Sequence, residues 1–332
     1  MRGAQEGSVR EDVLEFWRTQ AGFTGEAAER RLPEVVCVLR REGRVVGVSS
    51  VFAAEVGIVG GWRFWVFRSL LADGLEDGLS ELISTTFRAL DAAHVTDRGE
   101  PVGLCVLLDA TQRRRLPPQA EWTDPRMIHA GYLPDGRQVR IAYFSEEVSS
   151  MGVPQPAGGW TPGAGYRIEP FAEQSGVSRE EVLALWTGEA GLSPPEAERR
   201  LDELLLVGVA PDGSLAGIST AYLSLNVQLG ADFWYYRVFV PAAHRNGRVA
   251  LSLAVTGREH LVKRFTSGQD RRGQGVIFEV ENEGLKRAFP NGVWYESDFL
   301  FIGTNPRGAH VRVHYFPDVP APEPGVYGST YV

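Results

Sequence analysis

The sequence predicts an α/β protein made of two tandem domains, each built on a mixed β-sheet with helices on both faces. The first observation is a repeat: the segment around Trp17 returns around Trp186, 169 residues later. Residues 64–68 (Phe-Trp-Val-Phe-Arg) match residues 233–237 (Phe-Trp-Tyr-Tyr-Arg) at the same offset. The second observation is that strand and helix patterns alternate within each copy.

The third observation is a slow drift in the offset, which indicates one duplicated unit with small insertions in its loops. Residues 139–144 match residues 311–316 at an offset of 172. We therefore predict an N-terminal domain, a Pro- and Gly-rich linker, a C-terminal domain and a tail. Their expected bounds are 1–148, 149–165, 166–318 and 319–332.

The composition argues against several classes of protein. A net charge of −8 disfavours nucleic-acid binding driven by electrostatics. The chain has neither an apolar run of membrane-spanning length nor a leader pattern, so we expect no membrane partner. Cys37 and Cys105 lie in apolar stretches, as reduced thiols of a cytoplasmic protein do. No metal motif is present, and we expect no metal.

The first elements of the second copy follow from pattern and capping. Alternation over 166–169 predicts a short strand. A capping box at 178–181 predicts the start of a helix, and residues 8–11 predict the same in the first copy. A second helix should carry 196–201 into an apolar strand, which a turn at 211–214 joins to the next strand.

The remaining elements complete the order β-α-α-β-β-β-α-β-α-β-β. Residues 233–240 are rich in aromatic and β-branched side chains, which predicts a central strand. Helical spacing of apolar residues predicts a helix over 248–265. The last elements should be a strand at 276–280, a short helix at 283–289, and strands near 293–301 and 310–316.

The segment 240–250 joins the aromatic strand directly to the long helix. Unpaired amides and the positive end of the helix dipole at such a junction can bind an anion. Arg245 and Arg248 add charge suited to phosphates. A plain turn with solvated arginines explains the residues equally well.

Element order and loop together resemble the GNAT superfamily of acyl-CoA-dependent N-acyltransferases, and the doubled layout is similar to that of the mycothiol synthases. The resemblance covers nearly all of the second copy. It implies that acetyl-CoA or another acyl-CoA binds as co-substrate, its pyrophosphate on the loop amides. Arg248 stands where the family has its first loop glycine, and Phe289 replaces a frequent tyrosine acid. The implied cofactor-binding residues are Val238, Val240, Arg245, Asn246, Gly247, Arg248, Val249, Ala250, Asn282 and Phe289.

Acyl transfer to an amine needs a base for the amine and an acid for the thiolate. Glu279 and Glu281 share one face of a strand and are the candidate bases, although a solvent-facing pair is the alternative. Tyr295 is a distant substitute for the missing acid. The resemblance also implies that a main-chain N–H near Val238 polarises the thioester carbonyl.

Other features of the chain have simpler explanations. Residues 69–78 of the first copy carry three acids and no arginine where a pyrophosphate would lie, so that copy is predicted to be degenerate. Arg68 and Arg237 recur in both copies, which favours a structural ion pair. A second Arg- and Gly-containing stretch at 271–275 is a rival phosphate loop, and we expect a mobile loop there.

We therefore predict an acyl-CoA-dependent N-acyltransferase, most simply an N-acetyltransferase, whose C-terminal domain acts on an amine of a small molecule. The alternative is a non-catalytic protein that kept the fold for ligand or partner binding. An aminoacyl-tRNA-dependent transferase is disfavoured by the acidic charge. Because two fused copies imitate a homodimer within one chain, we expect a monomer, with a homodimer as the alternative.

Overall fold

The computed structural model describes residues 2–75, 77–94, 99–145, 148–149, 163, 165–171 and 176–324, with no side-chain description for 2–8, 148–149 and 246–247. Most of the predicted linker and the end of the predicted tail lie outside these residues. The chain divides into two compact units. The N-terminal unit comprises 1–147, 228–230 and 320–332, and the C-terminal unit comprises 148–227 and 231–319.

The N-terminal unit has a seven-stranded mixed sheet with the order β1-β2-β3-β4-β7-β6-β5. Only β3 and β4 run parallel, and the other pairs are antiparallel. Its elements are α1 Arg2–Ala21, α2 Gly25–Arg31, β1 Val35–Arg41, β2 Arg44–Val56, β3 Trp62–Leu71, α3 Gly78–Ala93, β4 Gly103–Leu108, α4 Ala110–Arg114, β5 Glu121–Thr123, β6 Arg126–Tyr132 and β7 Gln138–Tyr143.

The C-terminal unit has a nine-stranded sheet with the order β8-β14-β15-β16-β13-β12-β11-β10-β9. Its elements are β8 Val148–Ser149, β9 Arg167–Pro170, α5 Arg179–Gly188, α6 Pro194–Arg200, β10 Leu204–Val209, β11 Leu215–Asn226, β12 Ala231–Phe239, α7 Val249–Thr266, β13 Gly275–Val280, α8 Glu283–Ala288, β14 Val293–Trp294, β15 Phe299–Thr304 and β16 His310–Tyr315.

The two sheets have the same core topology. The order β10-β11-β12-β13-β16-β15-β14 repeats β1-β2-β3-β4-β7-β6-β5, and the C-terminal sheet adds a short strand at each edge. The register repeats as well, since Glu279 pairs with Val311 and Leu107 pairs with Val139, 172 positions earlier. The predicted α/β class, with mixed sheets in two units, is confirmed.

Helix caps agree with the sequence in one unit and differ in the other. At α5 the Ser178 hydroxyl accepts the Glu181 N–H (3.2 Å), and the Glu181 carboxylate accepts the Ser178 N–H (2.7 Å). The predicted start of α1 at Ser8 is wrong, because the helix already begins at Arg2. The residues before Ser8 include no proline, so nothing in them forces a helix to begin at the capping residue.

Two further boundaries also correct the sequence. The strand predicted near 293–301 is two strands, separated by a turn in which Asp298 has φ 56°. The short helix α8 ends at Ala288, one residue before the predicted end at Phe289.

Apolar side chains cover both faces of the C-terminal sheet. Trp186 and its neighbours from α5 and α6 pack on one face, and Val249 and Leu253 of α7 pack on the other. Gly208 and Gly217 lie directly below Val249, where an added Cβ would come within 3.0 Å of its methyl group. The absence of side chains there lets α7 approach the sheet closely.

Among the described residues, each unit contains one fully buried arginine, in the same setting. The guanidinium of Arg140 lies 4.0 Å from the ring centre of Trp122, and that of Arg312 lies 4.0 Å from the ring centre of Trp294. Both donate to main-chain carbonyls of a nearby loop, including one at 2.6 Å from Arg140 and one at 2.8 Å from Arg312. These contacts satisfy a charge that would be costly if buried alone.

Candidate functional site

In the described core of the C-terminal sheet, the two halves are joined by one parallel strand pair, β12 and β13. This pairing ends early, and the candidate site lies where it ends. β12 and β13 pair at three positions, the last of them Tyr236 with Phe278. β12 then continues through Phe239 while paired to β11 alone, and β13 continues through Val280 while paired to β16. The two strands therefore diverge beyond Tyr236 and leave a gap between them.

A cavity of about 530 Å³ occupies this gap and extends over the sheet face beneath α5 and α6. Its lining combines aromatic and aliphatic groups with charged ones. The lining residues are Trp186, Ala190, Leu192, Arg200, Ile218, Thr220, Tyr222, Tyr235, Tyr236, Arg237, Val238, Phe239, Phe278, Glu279, Val280, Glu281, Asn282, Leu285 and Arg307.

The wall on the β13 side carries the two predicted bases. The side chain of Glu279 is 24% exposed, and it accepts hydrogen bonds from Asn305 Nδ2 (2.9 Å) and Arg307 Nη2 (2.8 Å). Glu281 is 69% exposed and lies 3.5 Å from Arg307 Nη1. Glu279 is thus the better-positioned carboxylate, held by two donors yet open to the cavity, and Glu281 resembles the solvent-facing alternative.

The wall on the β12 side is cationic. Arg237 pairs with Glu203 (2.9 Å), and its guanidinium lies 4.1 Å from the ring centre of Tyr222. Arg200 also lines the cavity, and burial together with the nearby Arg237 lowers the pKa of Arg200. The strand register places Arg237 and Glu279 on the same sheet face, on opposite sides of the gap.

The ion pair predicted for Arg68 and Arg237 exists in both units. Arg68 pairs with Glu34 (3.1 Å) and lies 3.8 Å from the ring centre of Phe52, as Arg237 does with Glu203 and Tyr222. Its recurrence shows that the ion pair belongs to the shared architecture. Any role of Arg237 beyond this ion pair would depend on the cavity that it lines and on the acidic residues across the gap.

The polar cluster around Glu279 has no counterpart in the N-terminal unit. At the positions 172 residues earlier, Leu107 replaces Glu279, Leu133 replaces Asn305 and Asp135 replaces Arg307. The turns match: Leu133 N donates to Arg137 O (2.8 Å), and Asn305 N donates to Ala309 O (3.0 Å). The backbone is therefore conserved between the units while the charged groups are not.

The segment between β12 and α7 contains a 3-10 helix over Ala242–Gly247, followed by Arg248 with φ 57° and then by α7. Arg245 and Arg248 are exposed, and Arg245 Nε donates to Val240 O (3.3 Å). The first amides of α7 have no partner within their own helix. At the start of α7 Val249 is buried, whereas Arg248 and Ala250 on either side of it are exposed.

One carboxylate already lies near these amides. Glu189, at the end of α5, accepts the N–H of Ala242 at 3.4 Å. A carboxylate that accepts a main-chain amide at the start of this segment behaves as an anion binding there would.

The structure places the ten predicted cofactor-binding residues differently. Val238 and Asn282 line the cavity, and Asn282 also caps α8 by accepting the Leu285 N–H (3.0 Å). Val240 and Val249 are buried in the core, so their side chains cannot reach a ligand and only their main chains remain available. Ala250 is exposed at the start of α7.

The other cofactor-binding predictions need comment or correction. Asn246 and Gly247 are placed by their backbone in the 3-10 helix, and their side chains lie outside what the structure describes. Phe289 does not line the cavity; its ring packs against Trp294 (ring centres 6.2 Å apart) because the chain turns away after α8.

Tyr295 does not reach the site. It is 55% exposed in the turn after β14 and is absent from the cavity lining. Tyr236 lines the cavity, but its hydroxyl donates to Leu253 O, and burial raises the pKa of that phenol. The cavity-lining phenols that remain are Tyr222 and Tyr235, and the Tyr235 hydroxyl accepts from Asn226 Nδ2 (3.1 Å).

Sequence reasoning missed Arg200, Arg307 and Asn305. Arg200 matches Arg31 of the first copy, so comparison of the copies assigns it to the shared architecture. Its position in the cavity wall depends on the placement of α6. Arg307 and Asn305 lie in a turn far along the chain from Glu279. Comparing the two copies for changes of polarity at matched positions could have found them.

Hydrogen bonds anchor the rival loop at 271–275, for which the sequence predicted mobility. Asp270 accepts from Arg272 Nη2 (2.8 Å) and Arg264 Nη2 (3.0 Å), and Trp234 Nε1 donates to Arg272 O (3.1 Å). These bonds hold the arginine side chains against the protein.

No protein-family model matches the chain. No curated protein matches it either. Solved structures do match. The chain is similar in fold to GNAT acetyltransferases.

Two of these structures illustrate the extent of the likeness. A GNAT family acetyltransferase from Brucella melitensis, in complex with acetyl-CoA, is 20% identical with a TM-score of 0.29, and the match covers 47% of this chain and 91% of that one. A GNAT family acetyltransferase from Streptococcus pneumoniae is 9% identical with a TM-score of 0.31, over 46% and 99%. At TM-scores of 0.29 and 0.31 and identities of 20% and 9%, neither likeness assigns an activity to this chain.

The described residues contain neither a membrane-spanning helix nor a cluster of metal ligands. None of the described helices is both long enough and apolar enough to cross a membrane. Among the same residues, no three His, Cys, Asp or Glu side chains come together as a metal site would require.

Proposed function

We propose that the C-terminal unit transfers an acyl group, most simply acetyl, from an acyl-CoA to the amine of a small molecule. The observation that carries this proposal is the gap between β12 and β13, where a cavity opens with Glu279 on one wall. The same strand β12 leads through a 3-10 helix to the start of α7, where Arg245 and Arg248 are exposed. The anion-binding amides would therefore follow β12, while the base lies on β13 across the gap, beside the space for the acceptor.

Glu279 is the proposed general base. An amine reaches the protein as an ammonium ion and must lose a proton before it attacks a carbonyl. Asn305 and Arg307 hold the Glu279 carboxylate in one orientation, and the cavity gives the amine access to it. When Glu279 accepts the proton, Arg307 remains beside Glu281 and balances its charge.

The acyl-CoA, when bound, supplies an activated thioester. The residues that fit its diphosphate are the amides at the start of α7 with Arg245 and Arg248, because guanidinium groups and helix N-termini both favour phosphate. Glu189 must release the Ala242 amide for a diphosphate to approach it. Val238 lines the cavity where β12 has separated from β13, and main-chain groups of β12 beyond Tyr236 are the proposed donors to the thioester carbonyl.

The leaving thiolate needs a proton. Phe289 and Tyr295 lie away from the cavity, and the Tyr236 hydroxyl already donates to Leu253 O. We therefore propose Tyr222 or Tyr235 as the acid. Replacement of each by Phe, with thiol release as the readout, would identify which one contributes.

The first experiment is a calorimetric titration of the whole chain with acetyl-CoA. We expect binding in the micromolar to millimolar range and at least tenfold weaker binding after Arg245→Ala and Arg248→Ala combined, because charged hydrogen bonds are lost. Replacing Arg10 and Arg18, which are exposed on α1 of the other unit, is the matched control. No binding at millimolar acetyl-CoA would end the proposal.

The second experiment tests chemistry. Free thiol release is measured with a panel of amines, and Glu279→Gln should lower kcat/KM by about 100-fold or more at neutral pH, the usual contribution of a general base. Acetyl-CoA affinity should not change. A Glu281→Gln variant is the control, and an equal loss in both variants would contradict the assignment of the base.

The second candidate is a ligand-binding protein without catalysis. Arg307 favours it, because a guanidinium already occupies the two carboxylates that a substrate amine would approach. Binding of acetyl-CoA without thiol release in any amine assay would support this candidate. The monomeric state and the cytoplasmic location remain predictions of the sequence, and light scattering during gel filtration tests the first.

A further inference from the structure

The cavity of the C-terminal unit has charges of opposite sign on facing walls. Arg200 and Arg237 lie on the α6 and β12 side, whereas Glu279 and Glu281 lie on the β13 side. Tyr235 pairs with Ile277 in the parallel ladder, and the next residues on that face are Arg237 and Glu279. The cationic Arg237 and the anionic Glu279 thus lie on opposite sides of the gap where β12 and β13 diverge.

The cationic wall is held rigidly. The guanidinium of Arg237 lies over the ring of Tyr222, and that ring stacks on Tyr235 (ring centres 5.3 Å apart, planes at 25°). Arg200 is anchored separately, since its Nε donates to Glu196 Oε1 (2.9 Å). A planar guanidinium whose face is covered by an aromatic ring keeps its edge donors for a partner in the plane.

Each arginine of the cationic wall has one carboxylate partner. Arg200 pairs with Glu196 and Arg237 pairs with Glu203, both at 2.9 Å, and both arginines also line the cavity. Because a guanidinium group carries five N–H donors, one carboxylate leaves donors for an anionic group on a ligand.

Resting on the proposed acyl transfer, we propose that the acceptor is an α-amino acid with an apolar side chain. Its carboxylate binds Arg200 and Arg237, and its amine faces Glu279 across the gap. The α-carboxylate and amine are separated by one carbon, which suits groups on two adjacent strands. Trp186, Leu192 and Phe278 form apolar lining suited to the side chain.

The chain supplies a matched control for the cationic wall. Arg68, with Glu34 and Phe52, reproduces the arrangement of Arg237 with Glu203 and Tyr222 in the N-terminal unit, where Leu107 replaces the base. Arg237→Met and Arg68→Met remove equivalent ion pairs and ring contacts. Their costs to folding should therefore be similar, and only the first should affect an acceptor in the C-terminal unit.

The test compares ligands that differ in one group. Calorimetry on the whole chain measures binding of L-leucine and L-phenylalanine, of the amines that lack their carboxylates (3-methylbutylamine and 2-phenylethylamine), and of 3-phenylpropionate, which lacks the amine. We expect at least one of the two amino acids to bind tenfold or more tightly than its amine, since charged hydrogen bonds to the carboxylate are lost in the latter. Arg237→Met should abolish that difference, and Arg68→Met should leave it unchanged.

Several outcomes would overturn this inference. They are equal binding of each amino acid and its amine, binding of neither amino acid below 10 mM, or an equal effect of the two arginine substitutions. Because the ligand comparison uses the unaltered protein, it does not depend on whether Arg237→Met folds. If acetyl-CoA binds and the amines are acetylated while the amino acids are not, the acceptor class is wrong and the transferase stands. Failure of acetyl-CoA to bind would instead remove the transferase.

Discussion

Protonation of His129 should make the stability of the N-terminal unit depend on pH. His129 lies on β6 and is fully buried. Burial, reinforced by the nearby charge of Arg140, lowers the pKa of His129 from 6.5 to about 3. The folded unit therefore keeps this histidine neutral across the pH range in which the unfolded chain protonates it.

The sign and size follow from linkage. Because the unfolded state binds the extra proton, stability is full above pH 6.5 and declines as the pH falls towards 3. Between pH 7 and pH 5 the free energy of unfolding should fall by about 2 kcal/mol, from an unfolded pKa of 6.5 and negligible protonation of the folded state at pH 5. The other histidine of this unit, His94, is partly buried beside Phe144.

The measurement is hydrogen exchange of peptides from β6 and β7 in moderate denaturant, read by mass spectrometry at pH 7 and pH 5 after correction for intrinsic exchange rates. The comparison is with His129→Gln, which cannot titrate. Whatever the starting stability of the variant, its loss of stability between the two pH values should be smaller by about 2 kcal/mol. Equal losses in the parent chain and the variant would refute the reasoning.

Three other perturbations have outcomes that follow from the packing. Gly257→Ala places a Cβ 2.1 Å from the buried hydroxyl of Tyr236 and should lower the free energy of unfolding by about 1–3 kcal/mol in chemical denaturation. Gly188→Ala is the control: a Cβ there has nothing within 4 Å, so the free energy of unfolding should stay the same or rise by up to about 1 kcal/mol. Arg312→Met and Arg140→Met should each cost about 2–5 kcal/mol in the same assay, because several loop carbonyls lose their donor, and a marked inequality would contradict their equivalence. Arg307→Gln should lower kcat/KM, since the Glu279 carboxylate loses one of the two donors that hold it, and an unchanged kcat/KM would contradict that positioning role.

The fold was largely predictable from local signals. The capping box at Ser178, the aromatic strand from Phe233 and the doubled segment at Trp17 and Trp186 are all properties of short stretches of chain, and the structure agrees with them. The start of α1 was not predictable from Ser8, because a capping sequence permits a helix to begin and does not prevent it from extending upstream.

The site was predictable only in part. Glu279 was found because alternate residues of one strand share a face, and Val238 because a strand leads into the loop. Arg307 could not be found that way, since its contact with Glu279 joins residues 28 positions apart through a turn. Tyr295 was misplaced because an exposed turn after β14 carries it away from the sheet.

The parallel ladder between β12 and β13 spans only three residue pairs, yet it is the seam that joins two halves of the C-terminal sheet. Few interstrand bonds cross this seam, so its amides should open to solvent more readily than those of the long β11–β12 hairpin. A substitution that extended the pairing of β12 and β13 by one residue pair would strengthen this seam and would also close part of the gap. Rigidity and an open interior are therefore in direct conflict at this point of the fold.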